Sequence, residues 1–132
     1  MSDENRSSKD KEIYTRIDRF VIATLSIIKL LPRNLINIEI LKQLIRSVMS
    51  IGANAREGQT AQTRKEFARS FSICKREAKE SQYWLFLLVE INPSFRRVLE
   101  KLVIECDELT AIISAIISST LKKSKQKLLI VN

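Results

Sequence analysis

Residues 50–59 read SIGANAREGQ. They hold both glycines of the chain, Gly52 and Gly58, with an asparagine and two opposite charges. Read as a loop, they would break the chain around a glycine-rich turn. Read as helix, they close a long element. A wheel at 100° per residue favours the helix: Ile40, Leu44, Val48, Ile51 and Ala55 gather on one side, and Leu41 and Ile45 extend it. This helix is expected to run from Asn37, as its cap, to Glu57, with Gly58 as its stop. Gly52 inside it costs about 1 kcal/mol relative to alanine, which close approach of a neighbouring backbone would justify.

The same period recurs on either side. Helix 1 is expected over Lys11–Leu31, with a seam of Ile13, Ile17, Phe20, Thr24, Ile27 and Leu31 widened by Val21 and Ile28; Pro32 ends it. Thr63-Arg-Lys-Glu66 is a capping box that opens helix 3, whose seam is Phe67, Phe71, Cys74, Ala78, Ser81, Leu85 and Leu88 as far as Ile91. Asn92-Pro93 then supplies a cap and a proline at the first helical position of helix 4, with Phe95, Leu99, Leu102, Cys106, Leu109, Ile113 and Ile116 on its seam. The links at 32–36, 58–62 and 92–93 are short, which makes consecutive helices antiparallel neighbours. The fold predicted is all-α, an up-down-up-down four-helix bundle over 11–121. Residues 1–10 read as a flexible N-terminal tail and 122–132 as a basic C-terminal tail.

Composition narrows the chemistry. The chain has 132 residues, 45% of them apolar, which suits one domain, and only two Pro and two Gly, too few for a sheet of tight hairpins. It has no histidine, which removes the commonest general base and metal ligand. Cys74 and Cys106 lack a CxxC spacing and read as buried small hydrophobes in a reducing compartment. The longest uncharged run, Leu109–Leu121, is 13 residues, too short to span a bilayer. The polar start MSDENRSSKDKE is no signal peptide. There is no glycine-rich phosphate loop and no metal spacing. Glu105, Asp107 and Glu108 read as a solvated face. A cytoplasmic, non-enzymatic protein without metal, cofactor or small-molecule substrate is expected. Its net charge of +8 favours an acidic partner.

Two polar stripes are candidates for function. On helix 2, Gln43, Arg46, Ser47, Ser50, Asn54 and Glu57 recur as regularly as the core, and are mostly small or amide-bearing. They suit either a subunit–subunit seam or a contact with helix 3. Glu57 faces the negative end of its helix dipole and calls for a cation, from Arg64, Lys65 or another subunit. On helix 3, Lys65, Arg69, Ser72, Arg76, Lys79 and Tyr83 stand opposite the seam. The basic residues span about 21 Å, enough to meet several phosphates of a nucleic acid. Tyr83 can stack a base, and Lys122, Lys123, Lys125 and Lys127 form an accessory arm. A merely solvated face, with Glu66, Glu77 and Glu80 at its edges, is the other reading. Trp84 and Phe86 read as packing residues.

The run QLIRSVMSIGANAREG, followed by KEFARSFSICKREAKES, resembles the bacterial four-helix-bundle proteins encoded in intervening sequences of the large-subunit ribosomal RNA gene. The shared positions are Gln43, Leu44, Arg46, Ser47, Ser50, Ile51, Ala53, Asn54, Glu57, Gly58, Glu66, Phe67 and Glu80, and the likeness spans about 13–121. It implies a four-helix bundle, a homopentamer and no enzymatic activity. Relatives include the basic accessory variability determinant of diversity-generating retroelements, which works with a reverse transcriptase and its RNA. Together, residues and resemblance point to a non-catalytic homo-oligomer that binds RNA as an accessory of ribosomal RNA or of an RNA-handling enzyme. The alternative is a protein-interaction scaffold with no nucleic-acid role.

Overall fold

The computed structural model describes the backbone of residues 3–131 and the side chains of 12–126. Four helices follow in order: α1 Asp3–Ile28, α2 Leu35–Gln59, α3 Arg64–Ile91 and α4 Arg96–Val131, with a single 3-10 turn at Pro93–Phe95 before α4. α2 packs on α3 and α3 on α4 over their lengths, while α1 closes the ring against α2 and α4. This is the antiparallel four-helix bundle that the apolar period predicts. No helix among the described residues is long and apolar enough to cross a membrane.

The seams form the core. Ile17, Phe20, Thr24, Leu44, Val48, Ile51, Phe71, Cys74, Leu85, Leu88, Leu99, Cys106, Leu109 and Ile113 are all buried. Ile27, Phe67, Phe95 and Ile116 pack against them half-buried. Each adjacent pair of helices also has a polar clasp. Arg16 of α1 bonds Glu105 of α4 at 2.6 Å and also Glu108. Arg56 of α2 pairs with Asp18 of α1. Arg46 of α2 pairs with Glu77 and Glu80 of α3. Gln82 of α3 donates to Asp107 of α4 at 2.8 Å. Except for Arg46–Glu77, whose carboxylate is buried, clasps this exposed contribute about 0–1 kcal/mol each and fix register more than stability.

Several boundaries differ from the sequence reading. α1 starts at Asp3 and α4 runs to Val131, so residues 3–10 and 122–131, expected within the two tails, are helical in their backbone. Neither segment holds a glycine or proline, and propagation from an existing helix needs no new nucleus. α1 stops at Ile28, its last turn closed by Leu30 N–H to Ile27 O at 3.0 Å and Leu31 N–H to Ile28 O at 3.3 Å. Asn34, not Asn37, caps α2: it is extended, and its side chain accepts from the Asn37 N–H at 2.9 Å. On α3 the capping box is only half formed. Thr63 accepts from Glu66 N–H at 3.1 Å, while the Glu66 carboxylate takes the Gln62 N–H.

Asn37 does something else. It is buried, donates to Pro32 O at 2.8 Å and to Asn92 Oδ1 at 2.8 Å, and accepts from Asn92 Nδ2 at 3.0 Å. Asn92 therefore serves this reciprocal amide pair instead of capping α4 with its side chain. The pair ties the α1–α2 link to the end of α3. Asn37→Leu is expected to cost about 2–3 kcal/mol in urea denaturation, because it strands a buried amide and a carbonyl. A loss below about 0.5 kcal/mol would show that the pair is dispensable.

The glycines also exchange roles. Gly58 lies inside α2 and has no positive φ, so it is not a left-handed stop. A Cβ there would meet the Phe71 ring at 2.8 Å. A Cβ at Gly52 would sit at an ordinary 3.6 Å from Val21. The close approach expected at Gly52 is thus found at Gly58.

Candidate nucleic-acid interface

α3 buries Phe71, Cys74, Ala78, Ser81, Leu85 and Leu88 and turns the opposite face outward. That face exposes Lys65, Arg69, Ser72, Arg76, Lys79 and Tyr83, as the period requires. Among the described residues none of its four cations is in an ion pair; the paired arginines are Arg16, Arg46, Arg56 and Arg96. Like charges three and four residues apart, as in Lys65/Arg69 and Arg76/Lys79, repel by about 0.2–0.5 kcal/mol per pair, a cost that a bound polyanion would relieve.

The acids at the edges of this face are engaged elsewhere. Glu77 is buried and faces Arg46 of α2. Glu80 pairs with the same arginine and accepts from Trp84 Nε1 at 3.3 Å. Glu66 is turned to the Gln62 N–H. The pairing of Glu77 and Glu80 with Arg46 leaves the outward charge of α3 less compensated than its sequence suggests, while Glu66 keeps its charge and lines one groove with Arg69. Tyr83 is exposed, its ring 5.2 Å from that of Trp84 and tilted by 56°. Trp84 packs half-buried against the core, but Phe86 is 53% exposed and is not the packing residue expected.

Lys122, Lys123 and Lys125 are exposed on helical α4 and are also without ion pairs among the described residues. The side chain of Lys127 lies outside the described residues. Two further cations without ion pairs among the described residues, Arg64 and Lys75, stand on the α4-facing side of the stripe. The sequence reading missed their part in it, although both share the helical phase of Gln82.

The polar stripe of α2 divides. Ser47 is buried and shares a 2.7 Å hydrogen bond with Ser81 of α3, and Arg46 holds Glu77 and Glu80, so both serve a contact within the chain. Asn54, half-buried, donates to the Ser50 carbonyl at 2.8 Å and to Ser50 Oγ at 3.1 Å in its own helix. Gln43 and Glu57 are exposed. Neither Arg64 nor Lys65 pairs with Glu57, which instead shares a groove with Thr60, Glu66, Arg69 and Ser70.

Burial pushes both thiols up to about 12, Cys74 under Ile51 and Cys106 under Ala78, so neither is a nucleophile near neutral pH. No three His, Cys, Asp or Glu side chains converge on a metal-sized point among the described residues.

Comparison with known proteins agrees with this architecture. The chain is similar to a crystal structure of a protein of unknown function from the S23 ribosomal protein family of Bacteroides thetaiotaomicron VPI-5482. Identity is 30%, the match covers 83% of this chain and 98% of that one, and the TM-score is 0.72. No protein of curated function matches. The profile of the 23S rRNA-intervening sequence proteins matches residues 9–115, and the chain belongs to that family.

Proposed function

We propose that this protein is a non-catalytic, self-associating RNA-binding bundle, an accessory of ribosomal RNA or of an RNA-handling enzyme such as a reverse transcriptase. The observation behind it is the row Lys65, Arg69, Arg76 and Lys79, without ion pairs among the described residues, beside which Glu77 and Glu80 are held by Arg46. Cations placed this way neutralise backbone phosphates and release counterions, with little reading of sequence. The test is the RNA affinity of Arg69→Glu/Arg76→Glu/Lys79→Glu. Unchanged affinity would overturn the site.

Assembly, pentameric by the resemblance, would multiply such contacts through avidity. The exposed remainder of the α2 stripe, with Glu57 at its end, is the surface for it. Glu57→Lys is expected to lower the mass found by light scattering; full assembly at unchanged stability would remove this surface from consideration. One observation favours a second reading, a protein-interaction scaffold. Leu30, Leu35, Ile36 and Ile91 are exposed at the end of the bundle where α1 meets α2 and α3 meets α4. That reading would be left standing if purified protein showed no salt-dependent affinity for RNA.

A further inference from the structure

The hydrogen bond from Gln82 to Asp107 fixes which faces of α3 and α4 look at each other. Arg64 precedes Gln82 by 18 residues, and Lys125 follows Asp107 by 18. At 3.6 residues per turn that is about five whole turns, or 27 Å, on each helix. The helices are antiparallel, so by this count Arg64 and Lys125, both exposed, would come to about the same level and phase on the two helices. By the same count Lys75 stands opposite Ser114. The groove between α3 and α4 thus starts at the Gln82–Asp107 hydrogen bond and runs toward the end that carries Arg64 and Lys125.

Charge along this groove is one-sided. Residues 64–76 contain five basic and one acidic side chain, and residues 109–126 contain three basic and none acidic. These two helix halves hold nearly all of the chain's net excess of +8. The single acid, Glu66, is bonded to the Gln62 N–H. The outward face of α4 above Asp107 is Ala111, Ser114, Ala115 and Ser118, small and uncharged, and it presents nothing that would repel or obstruct a phosphate chain.

We propose that Arg64 and Lys125, with Lys65 and Lys122 beside them, form a phosphate-binding point at the end of the α3–α4 groove. It continues the track of Arg69, Arg76 and Lys79, and it is built on helix. The C-terminal lysines then act from fixed positions, not as a trailing arm. This inference rests on the RNA-binding reading above. It adds that the phase of α4 beyond Leu121, as well as its charge, sets affinity.

Two insertions after Leu121 test this without altering charge. Ala-Ala rotates the following lysines by about 200° and advances them by about 3 Å; four alanines rotate them by about 40° and advance them by about 6 Å. Affinity for a fluorescein-labelled 20-nucleotide oligouridylate is measured against salt by anisotropy, with helicity checked by circular dichroism. Ala-Ala is expected to weaken binding about tenfold at 0.1 M salt and to flatten the salt slope by about two, whereas four alanines stay within about twofold of the parent. Equal affinity in both insertions and the parent overturns the fixed point, and the RNA-binding reading survives provided the α3 triple reversal still abolishes binding. If that reversal is also silent, the reading fails together with the inference.

Discussion

Phe71→Ala is expected to cost about 3–5 kcal/mol, a large part of the 5–15 kcal/mol that holds a domain of this kind together. Phe71 is fully buried. Its ring stacks on Phe67 at 4.5 Å and meets Tyr14 edge-on at 6.0 Å, and Gly58 of α2 lies against its other side. One side chain therefore joins α1, α2 and α3, and its loss leaves a cavity between them. Gly58 gives the reciprocal test. A methyl at 58 would stand 2.8 and 2.9 Å from carbons of a ring that packs against Phe67 and Tyr14. Gly58→Ala alone should lose about 1 kcal/mol, overpacking outweighing the better helix propensity of alanine. In a Phe71→Leu background the same change should become neutral or stabilising. Equal effects in both backgrounds, measured by urea denaturation, would show that the ring is not what Gly58 accommodates.

The α3 reversal Arg69→Glu/Arg76→Glu/Lys79→Glu is expected to weaken RNA binding by about 10²–10³-fold at 0.1 M salt, uniformly across sequences. Three phosphate contacts are removed and three repulsions are introduced. The logarithmic salt slope should flatten by about two to three. A matched control reverses Arg33, Arg97 and Lys101, which are exposed toward the other end of the bundle and change net charge equally. It should lose less than about fivefold, an effect of long-range field alone. If the control weakens binding as much as the α3 variant, net charge and not the stripe is responsible.

The helices were legible because their apolar spacing is regular and their ends carry Pro32, Thr63 and Pro93. Finer points depended on tertiary partners. Asn34 and Asn37 are equally good caps on paper, and only the burial of Asn37 against Asn92 decides between them. Gly58 has the position of a helix stop, yet its smallness answers to a ring on another helix. The exposed row from Lys65 to Tyr83 was visible from phase alone, while Arg64 and Lys75 on its α4 side were not. Its strength was not, because a sequence shows that Glu77 and Glu80 are near the stripe but not that Arg46 of α2 draws them to the other side. That α4 keeps its helical backbone through its lysine-rich end was not read from the sequence, although lysine is a good helix former.

The uneven placement of charge also affects how the molecule arrives at a partner. With most of its excess on facing halves of α3 and α4, the bundle behaves as an electric dipole, and the field of a polyanion exerts a torque on it before the surfaces touch. Rotation during approach brings the basic end forward, so fewer encounters are wasted on the wrong face. The association rate should thus be more sensitive to ionic strength than net charge alone would require, while dissociation follows the local contacts.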